Sequence, residues 1–267
     1  MEILAYLSAL VIGFTLGLLG GGGSILTVPA LVYIVGTNPA LATAYSLFVV
    51  GSAALVGAIA NIRKGLVSFK TAIVFAVPSF IAVYLTRRYL MPAIPENLFT
   101  IGDFTLTKDV AIMTFFAFIM LLAAVSMIRS GSRKKDMTDQ KEPQVFNYPL
   151  IIIDGLVVGV LTGIVGAGGG FLIIPALVLL ARLPMKLAVG TSLSIIAFKS
   201  LFGFIGDVQS GQLIDWPFLL LFTAFAIVGI IVGGYASNFV SGKKLKSGFG
   251  WFVLVMSIYI FVKEMFL

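Results

Sequence analysis

Gly20-Gly21-Gly22-Gly23 and Gly166-Ala167-Gly168-Gly169-Gly170 interrupt two long apolar stretches of the sequence. A run of glycines breaks a helix, because glycine adopts backbone conformations that other residues avoid. The apolar segments after the two breaks, 24–36 and 170–181, are shorter than the about 20 residues that a transmembrane helix needs. The sequence therefore predicts two interrupted helical hairpins. We call the glycine runs 20–23 and 166–170 the first and the second glycine break.

The sequence around the first break repeats around the second. A shift of 146 residues places Gly20 on Gly166 and aligns positions 13–67 with the second half without a gap, giving 18 identities over 55 positions. Biased composition alone gives about one identity in ten. The pattern therefore predicts a duplicated unit. Other identical pairs in this register are Pro29 with Pro175, Ser46 with Ser192 and Gly65 with Gly211.

The composition identifies the solvent of this chain. Of its 267 residues, 60% are hydrophobic and 11% are charged, whereas a soluble domain has about 25% charged residues. The net charge of +7 comes from short cationic clusters between apolar runs, so it predicts membrane topology and no nucleic-acid partner. The sequence contains no cysteine and no histidine. It therefore lacks the usual residues for catalysis and metal binding, and we expect neither enzyme activity nor a cofactor.

The apolar runs predict an all-α polytopic membrane protein made of two repeats. Each repeat consists of one glycine-broken helical hairpin and three transmembrane helices. We divide the chain into a first repeat at 1–128, a polar cytoplasmic linker at 129–148 and a second repeat at 149–267. The predicted helices cover 3–19, 24–36, 41–60, 67–86, 109–128, 149–165, 170–181, 187–206, 216–239 and 247–265.

Basic clusters predict the orientation of the two repeats. If the clusters lie in the cytoplasm, the hairpin of the first repeat begins and ends outside, and that of the second begins and ends inside. The halves then form an inverted-topology repeat, a common transporter architecture. Arg87-Arg88 falls outside in this scheme, and we interpret it as interfacial and snorkelling. The clusters are Arg63-Lys64 with Lys70, Arg129 to Lys141, Arg182 with Lys186, and Lys243-Lys244 with Lys246.

The glycine breaks are the primary candidates for a substrate site. Each break precedes a helix whose N-terminus presents unpaired N–H groups and a partial positive charge, which favours an anion. Close helix packing is the alternative, and it fits four further glycines: Gly13, Gly17, Gly159 and Gly163. The candidate substrate-binding residues at the breaks are Gly20, Gly21, Gly22, Gly23, Ser24, Gly166, Gly168, Gly169 and Gly170.

Polar residues on the helices after the breaks extend this candidate site. The hydroxyls of Ser46, Thr191 and Ser192 can donate to an anion or can bond neighbouring helices. Lys199 lies inside an apolar helix, where a charge is costly, and its equivalent in the first repeat is Ala53. It contacts an anion, snorkels, or pairs with Asp207, which lies two turns later; Asp207 itself we interpret as interfacial or capping.

These motifs resemble the TauE/SafE family of sulfite exporter-like permeases. The resemblance rests on the two breaks, each followed by Pro-Ala-Leu, and on Ala188-Val189-Gly190-Thr191-Ser192-Leu193, and it covers nearly the whole chain. It implies a multi-pass permease of the plasma (inner) membrane. Such a permease carries sulfite, sulfonates or related anions, usually outward. The first half reads Ala44-Tyr45-Ser46 where the second reads Gly-Thr-Ser, so we expect the second half to dominate binding.

Together these residues predict a secondary transporter that moves a small anion by alternating access, and the resemblance implies that the anion contains sulfur. The alternatives are an anion channel and a permease for another small organic or inorganic anion, whereas a membrane enzyme or assembly factor lacks catalytic residues here. The expected partners are a small anionic substrate and the lipid bilayer, and a homo-oligomer is compatible with the sequence. The identity of the anion, the coupling ion and the direction of transport stay open at this stage.

Overall fold

Helices make up most of the protein, as its apolar segments predict. The computed structural model describes residues 2–101, 104–132, 148–166, 169–179, 183–237, 239 and 242–266. The all-α polytopic architecture is confirmed. The predicted linker lies largely outside the described residues, and so does Gly168. The helices are α1 (Glu2–Leu19), α2 (Thr27–Tyr33), α3 (Pro39–Arg63), α4 (Phe69–Leu85), α5 (Met91–Ala93), α6 (Lys108–Ser132), α7 (Tyr148–Val165), α8 (Gly170–Leu179), α9 (Met185–Gln209), α10 (Trp216–Ala236) and α11 (Gly242–Phe266).

The glycine breaks end one helix and begin another, as predicted. Helix α1 ends immediately before Gly20, and a 3₁₀ turn at Gly22–Leu26 leads into α2. Helix α7 ends immediately before Gly166, and α8 begins at Gly170. At 1.5 Å per residue, the 7 residues of α2 and the 10 residues of α8 reach about 10 and 15 Å. Neither helix is long enough to cross the about 30 Å apolar core of a bilayer.

The longer helices match the thickness of a membrane. Among the described residues, four helices are long and apolar enough to cross it by length and composition: Pro39–Arg63, Phe69–Ala93, Lys186–Gln209 and Trp216–Ala236. Large apolar side chains cover their outer surfaces; Ile73 is 61% exposed and Ile231 is 59% exposed. Because such a surface is unfavourable in water, it fits the hydrocarbon of the bilayer.

Local sequence explains where two of these helices begin. Asn38 accepts hydrogen bonds from the backbone N–H groups of Ala40 and Leu41, and Pro39 occupies the first turn of α3. Asp215 accepts one from the N–H of Phe218 at the start of α10. These side chains replace the partners that the first N–H groups of a helix lack.

The two halves of the chain exchange helices. Helix α1 of the first half packs along α10 of the second, and α7 of the second half packs along α4 of the first. Helices α3 and α9 pack against each other between these pairs, and α6 packs against α11. Glycines allow the close approach: a Cβ on Gly13 would overlap Ala226, and one on Gly159 would overlap Ser79. The interpretation of Gly13 and Gly159 as residues that permit close helix packing is therefore confirmed.

One element was absent from the sequence prediction. Asn97–Ile101 and Phe104–Thr107 form a two-stranded antiparallel sheet, β1 and β2, between α5 and α6. Helix α4 also continues into a π-helical turn at Thr86–Leu90 before α5. Such turns carry an extra residue per helical turn and redirect side chains, often at functional sites. This π-helical turn contains Arg87.

Candidate functional site

The two glycine breaks meet inside the protein. Gly21 and Gly170 are so close that a Cβ on Gly21 would lie 2.8 Å from the Cα of Gly170. Gly20 and Gly166 have backbone φ angles of 67° and 72°, in the left-handed region that disfavours other residues. The sequence could predict each break separately, and the structure adds that they touch.

Each break also packs against the long central helix of the other half. A Cβ on Gly20 would overlap Val189 of α9, and a Cβ on Gly166 would overlap Thr43 of α3. The two contacts are equivalent, because the shift of 146 residues that relates Gly20 to Gly166 also relates Thr43 to Val189. This reciprocity indicates that the repeat is present in the packing as well as in the sequence.

Lys199 lies beside the second break. Its side chain is fully buried, and its Nζ donates to Thr162 Oγ1 at 3.0 Å. A Cβ on Gly169 would come within 2.7 Å of this Nζ, so the ammonium lies next to the residue that precedes α8. In the first turn of α8, the N–H groups of Leu172 and Ile173 donate to the carbonyl of Gly169. The backbone N–H groups of Gly170 and Phe171 precede them and have no partner within the helix. Of the three interpretations of Lys199, pairing with Asp207 is wrong, since that carboxylate pairs elsewhere.

The hydroxyls at equivalent positions of the repeat differ in their contacts. Ser192 Oγ contacts two carbonyl oxygens, that of Gly20 at 2.6 Å and that of Val189 at 2.8 Å. Ser46 Oγ is fully buried and has no hydrogen-bond partner among the described residues. The first break is therefore fastened by a serine of α9, whereas the matching serine of α3 keeps an unused hydroxyl.

Thr191 contacts the start of another helix. Its Oγ1 accepts a hydrogen bond of 2.9 Å from the backbone N–H of Ser68, directly before α4. Tyr45 is its equivalent in the first repeat, and the Tyr45 hydroxyl accepts one of 2.7 Å from the N–H of Asp215, directly before α10. Thr191 lies about 12 Å along α9 from Lys199, at 1.5 Å per residue. The structure thus places Thr191 away from Lys199.

The remaining candidates lie inside the first break. Gly22 and Gly23 belong to the buried 3₁₀ turn, where a Cβ on Gly23 would meet Thr15. Ser24 Oγ donates to the carbonyl of Gly21 at 2.7 Å. Of the described candidates, Gly21 and Gly170 form the contact between the breaks. Gly20, Gly166, Gly169, Ser192 and Lys199 lie around this contact, each against a break or the helix that packs on it.

Comparison with known proteins identifies the family of this chain. Residues 5–260 match the protein family described as "Sulfite exporter TauE/SafE". The chain belongs to the TauE/SafE family. It is therefore a membrane transporter, and the apolar helices and the exposed apolar surface of the fold fit a multi-pass membrane protein.

Relatives of this TauE/SafE chain carry the same general name. A "Probable membrane transporter protein" of Xylella fastidiosa is 32% identical over 93% of this chain and 90% of its own. "Probable membrane transporter protein YunE" of Bacillus subtilis is 27% identical over 88% of both. "Probable membrane transporter protein MJ0441" of Methanocaldococcus jannaschii is 28% identical over 73% of this chain and 70% of its own. No solved structure matches the chain.

One charged pair of this TauE/SafE transporter escaped the sequence analysis. Arg87 is 1% exposed, and its Nη1 lies 3.5 Å from Asp207 Oδ1 and donates to Thr43 Oγ1 at 2.9 Å. The snorkelling interpretation of Arg87 and the interfacial interpretation of Asp207 are therefore wrong. One signal was available in the sequence. Arg87 was an exception to the rule that assigned the other basic clusters to the cytoplasm, and an arginine with a buried acidic partner is such an exception.

Proposed function

We propose that this protein is a secondary transporter for sulfite, an organosulfonate or a related sulfur oxyanion, and that it binds this anion at Lys199 beside the second glycine break. The observation that carries the proposal is a fully buried ammonium whose hydrogen-bond partner among the described residues is a single hydroxyl, that of Thr162. A buried charge is costly unless it is paired. An anionic substrate would supply the missing charge whenever it is bound.

The surroundings of Lys199 suit an oxyanion. A lysine ammonium has three N–H donors, and Thr162 accepts one of them. The other two, with the first N–H groups of α8, can donate to sulfur-bound oxygens. Gly169 carries no side chain beside Nζ, so a ligand can approach the backbone closely. Charge-assisted hydrogen bonds of this kind are about twice as strong as neutral ones.

The reciprocal packing of the halves supports alternating access as the mechanism. Helices α1 and α7 each pack on a helix of the other repeat, and the two breaks touch between them. In an inverted-topology repeat, the two halves rock about a central site and expose it to one side at a time. The predicted repeats, 1–128 and 149–267, are the moving units of this proposal, with 129–148 in the cytoplasm. The description of the family, "Sulfite exporter TauE/SafE", supports the choice of a sulfur oxyanion as substrate and of outward transport in this proposal.

Purified protein in detergent and in proteoliposomes tests the role of Lys199. Sulfite, sulfate, thiosulfate, taurine and a carboxylate are compared for their effect on the melting temperature, because a ligand of the folded state raises it. Lys199→Met removes the ammonium and keeps the length of the side chain. We expect the best anion to bind about 10–100-fold more weakly to this variant, since a hydrogen bond to a charged group contributes about 1.5–3 kcal/mol.

Lys64→Met is the matched control, because it removes the same charge from an exposed residue at the end of α3. It should keep the wild-type affinity and the wild-type rate of anion counterflow. Wild-type anion affinity in Lys199→Met would overturn the assignment of Lys199. Single-channel currents in place of saturable counterflow would replace the transporter by an anion channel.

A further inference from the structure

A cavity with charged residues in its wall lies near the ends of several helices, apart from Lys199. It has a volume of about 440 Å³ and opens where α3 and α6 begin and where α9 ends. Its wall includes Arg87, Lys108 and Asp207 as its charged residues. The basic clusters predict that this end of the helices faces the outside of the cell. Polar or small residues, among them Ser210, Gly211 and Gln212 from the end of α9 and the loop after it, share the rest of the wall with apolar ones. The apolar residues are Leu41, Met91, Pro92 and Leu213.

Arg87, whose side chain borders this cavity, has unused hydrogen-bonding capacity. Its Nη1 serves both Thr43 and Asp207, whereas its Nε and Nη2 have no partner among the described residues. Asp207 Oδ2 is likewise without one there. The guanidinium is 1% exposed, and a buried polar group without a partner is unfavourable. Asp207 and Thr43 therefore satisfy only Nη1 of the Arg87 guanidinium.

The two unused nitrogens define a ligand. Nε and Nη2 lie side by side on one edge of a guanidinium, and such an edge binds two oxygens of one carboxylate, phosphate or similar group. Lys108 adds a second positive charge to the wall, with its Nζ donating to the carbonyl of Met91 at 2.6 Å. Asp207 is the acid among the residues that line the cavity, and the carboxylate of Asp109 lies directly behind the wall, where it accepts from Asn38 at 2.6 Å. The feature that favours an anion is therefore the unused edge of Arg87 and not the overall charge of the wall.

This cavity borders the second glycine break. Thr43, which accepts from Arg87, also packs against Gly166. Thr86, the residue before Arg87, packs against Gly163, where a Cβ would lie 2.8 Å from the Cβ of Thr86. Arg87 in the wall of the cavity and Gly166 of the break are therefore separated by a single residue, Thr43. An anion at Arg87 would lie one layer of residues from the second glycine break, beside which Lys199 lies.

We infer that the cavity at Arg87 is an outer oxyanion site, the first or last stop of the substrate on its way to or from Lys199. Arg87 recognises the anion with Nε and Nη2, and Asp207 holds the guanidinium when the site is empty. The ligand is a small group with at least two equivalent oxygens, such as sulfate, sulfite or a sulfonate. The position of this site on the transport route rests on the proposed function, whereas anion binding at Arg87 stands by itself.

Cysteine labelling tests the site independently of transport. The sequence has no cysteine, so Ala40→Cys introduces a single thiol in the wall of the cavity with little change in volume. An anionic, membrane-impermeant methanethiosulfonate reagent labels it, and the rate is followed as sulfate replaces chloride at equal ionic strength. Sulfate is the probe because sulfite itself reacts with the mixed disulfide. We expect sulfate to slow labelling at least threefold, and to leave a Lys64→Cys thiol at the opposite end of α3 unaffected.

Three backgrounds decide the outcome. Protection of Ala40→Cys should be lost in Arg87→Gln with Asp207→Asn, a double change that removes the pair together and so avoids leaving one buried charge alone. Asp207→Asn by itself should lower the half-protecting sulfate concentration severalfold, because it frees Arg87. Lys199→Met should leave protection intact. Equal protection with and without Arg87, or none in the parent, overturns the outer site.

The two proposals fail separately in this design. Loss of protection in Lys199→Met alone would show that sulfate acts through the break and would overturn an independent site at Arg87. Normal counterflow in Lys199→Met together with Arg87-dependent protection would leave the outer site standing and would sink the assignment of Lys199. Labelling of Ala40→Cys from outside sealed vesicles of known orientation also tests the predicted side of the cavity.

Discussion

The first and second glycine breaks share their backbone turns and their packing but differ in the charges around them. Gly20 and Gly166 have nearly the same φ angle and pack on equivalent residues of α9 and α3. Beside the second break lie the buried Lys199 and Thr162, whereas their equivalents in the first repeat are Ala53 and Leu16. The comparison teaches that the duplicated unit supplies the scaffold, and that the buried lysine and its hydroxyl partner belong to one copy, the copy to which the proposed function assigns anion binding.

The largest expected effect comes from adding a side chain to either break. Gly20→Ala and Gly166→Ala combine an unfavourable φ, which costs about 1–2 kcal/mol, with overlap in a packed interior, which costs about 1–3 kcal/mol. Each variant should therefore lose several kcal/mol of stability, measured as a large fall in the melting temperature or in the yield of folded protein in detergent.

Gly36→Ala is the control for this experiment. Gly36 has a φ of 79°, and nothing lies within 4 Å of its Cβ position, so only the conformational cost of about 1–2 kcal/mol remains. Tolerance of alanine at Gly20 but not at Gly166 would show that the breaks are not equivalent in packing. A loss at Gly36 as large as at the breaks would mean that φ alone, and not the close approach, governs stability.

A smaller effect on stability, but a large one on binding, should follow from converting the second break into the first. Thr162→Leu with Lys199→Ala reproduces the residues found at Leu16 and Ala53. Replacing buried polar partners together by apolar groups of similar volume is often neutral or stabilising, but Lys199→Ala also leaves a cavity, which is destabilising. We therefore expect this double variant to fold with a melting temperature below that of the parent but above that of the variants of the glycine breaks, and to bind sulfite at least about 10-fold more weakly.

Thr162→Leu alone completes this test. It leaves the ammonium of Lys199 without its hydroxyl, so it should destabilise the protein by about 1–3 kcal/mol. Ligand-dependent melting of both variants provides the measurement. An undiminished response of the double variant to sulfite would show that the glycine backbone binds the anion without the lysine, and the two breaks would then be chemically alike.

Sequence reasoning reached the parts of this structure that are repeated or local. The positions of both breaks, the helix that begins at Gly170 and the exceptional status of Lys199 followed from glycine chemistry, the repeat and the cost of a buried charge. These properties depend on a residue and its near neighbours. The repeat then doubled each observation, because Gly20 and Gly166 had to be explained together.

Contacts between distant residues were out of reach. Arg87 and Asp207 are 120 positions apart, and no local pattern marks two residues that meet across packed helices. Arg87 was an exception to the charge rule, and the snorkelling interpretation of that exception placed it at a surface instead. Thr191 was a reasonable candidate for substrate, yet its acceptor role at Ser68 depends on where α4 begins relative to α9. The β hairpin before α6 is short and carries no strong alternation.

The smallest expected effect isolates one hydroxyl at equivalent positions of the two repeats. Ser192→Ala removes the hydrogen bond to Gly20 and should cost about 1 kcal/mol, a fall in melting temperature of about 2–4 °C for a chain of this size. Ser46→Ala removes a buried hydroxyl without a partner among the described residues, so it should be neutral or slightly stabilising. Two variants that differ by the same atom are thus expected to shift stability in different directions.

Binding separates the structural role of these serines from a direct contact with substrate. If the Ser46 hydroxyl is held in reserve for the anion, Ser46→Ala should weaken sulfite binding while stability is kept, because only the bound state loses a hydrogen bond. Ser192→Ala should change stability first and affinity only through the position of Gly20. Equal destabilisation by both changes would mean that Ser46 is fastened to the second break as Ser192 is to the first, and the asymmetry between the breaks would then reside in Lys199 alone.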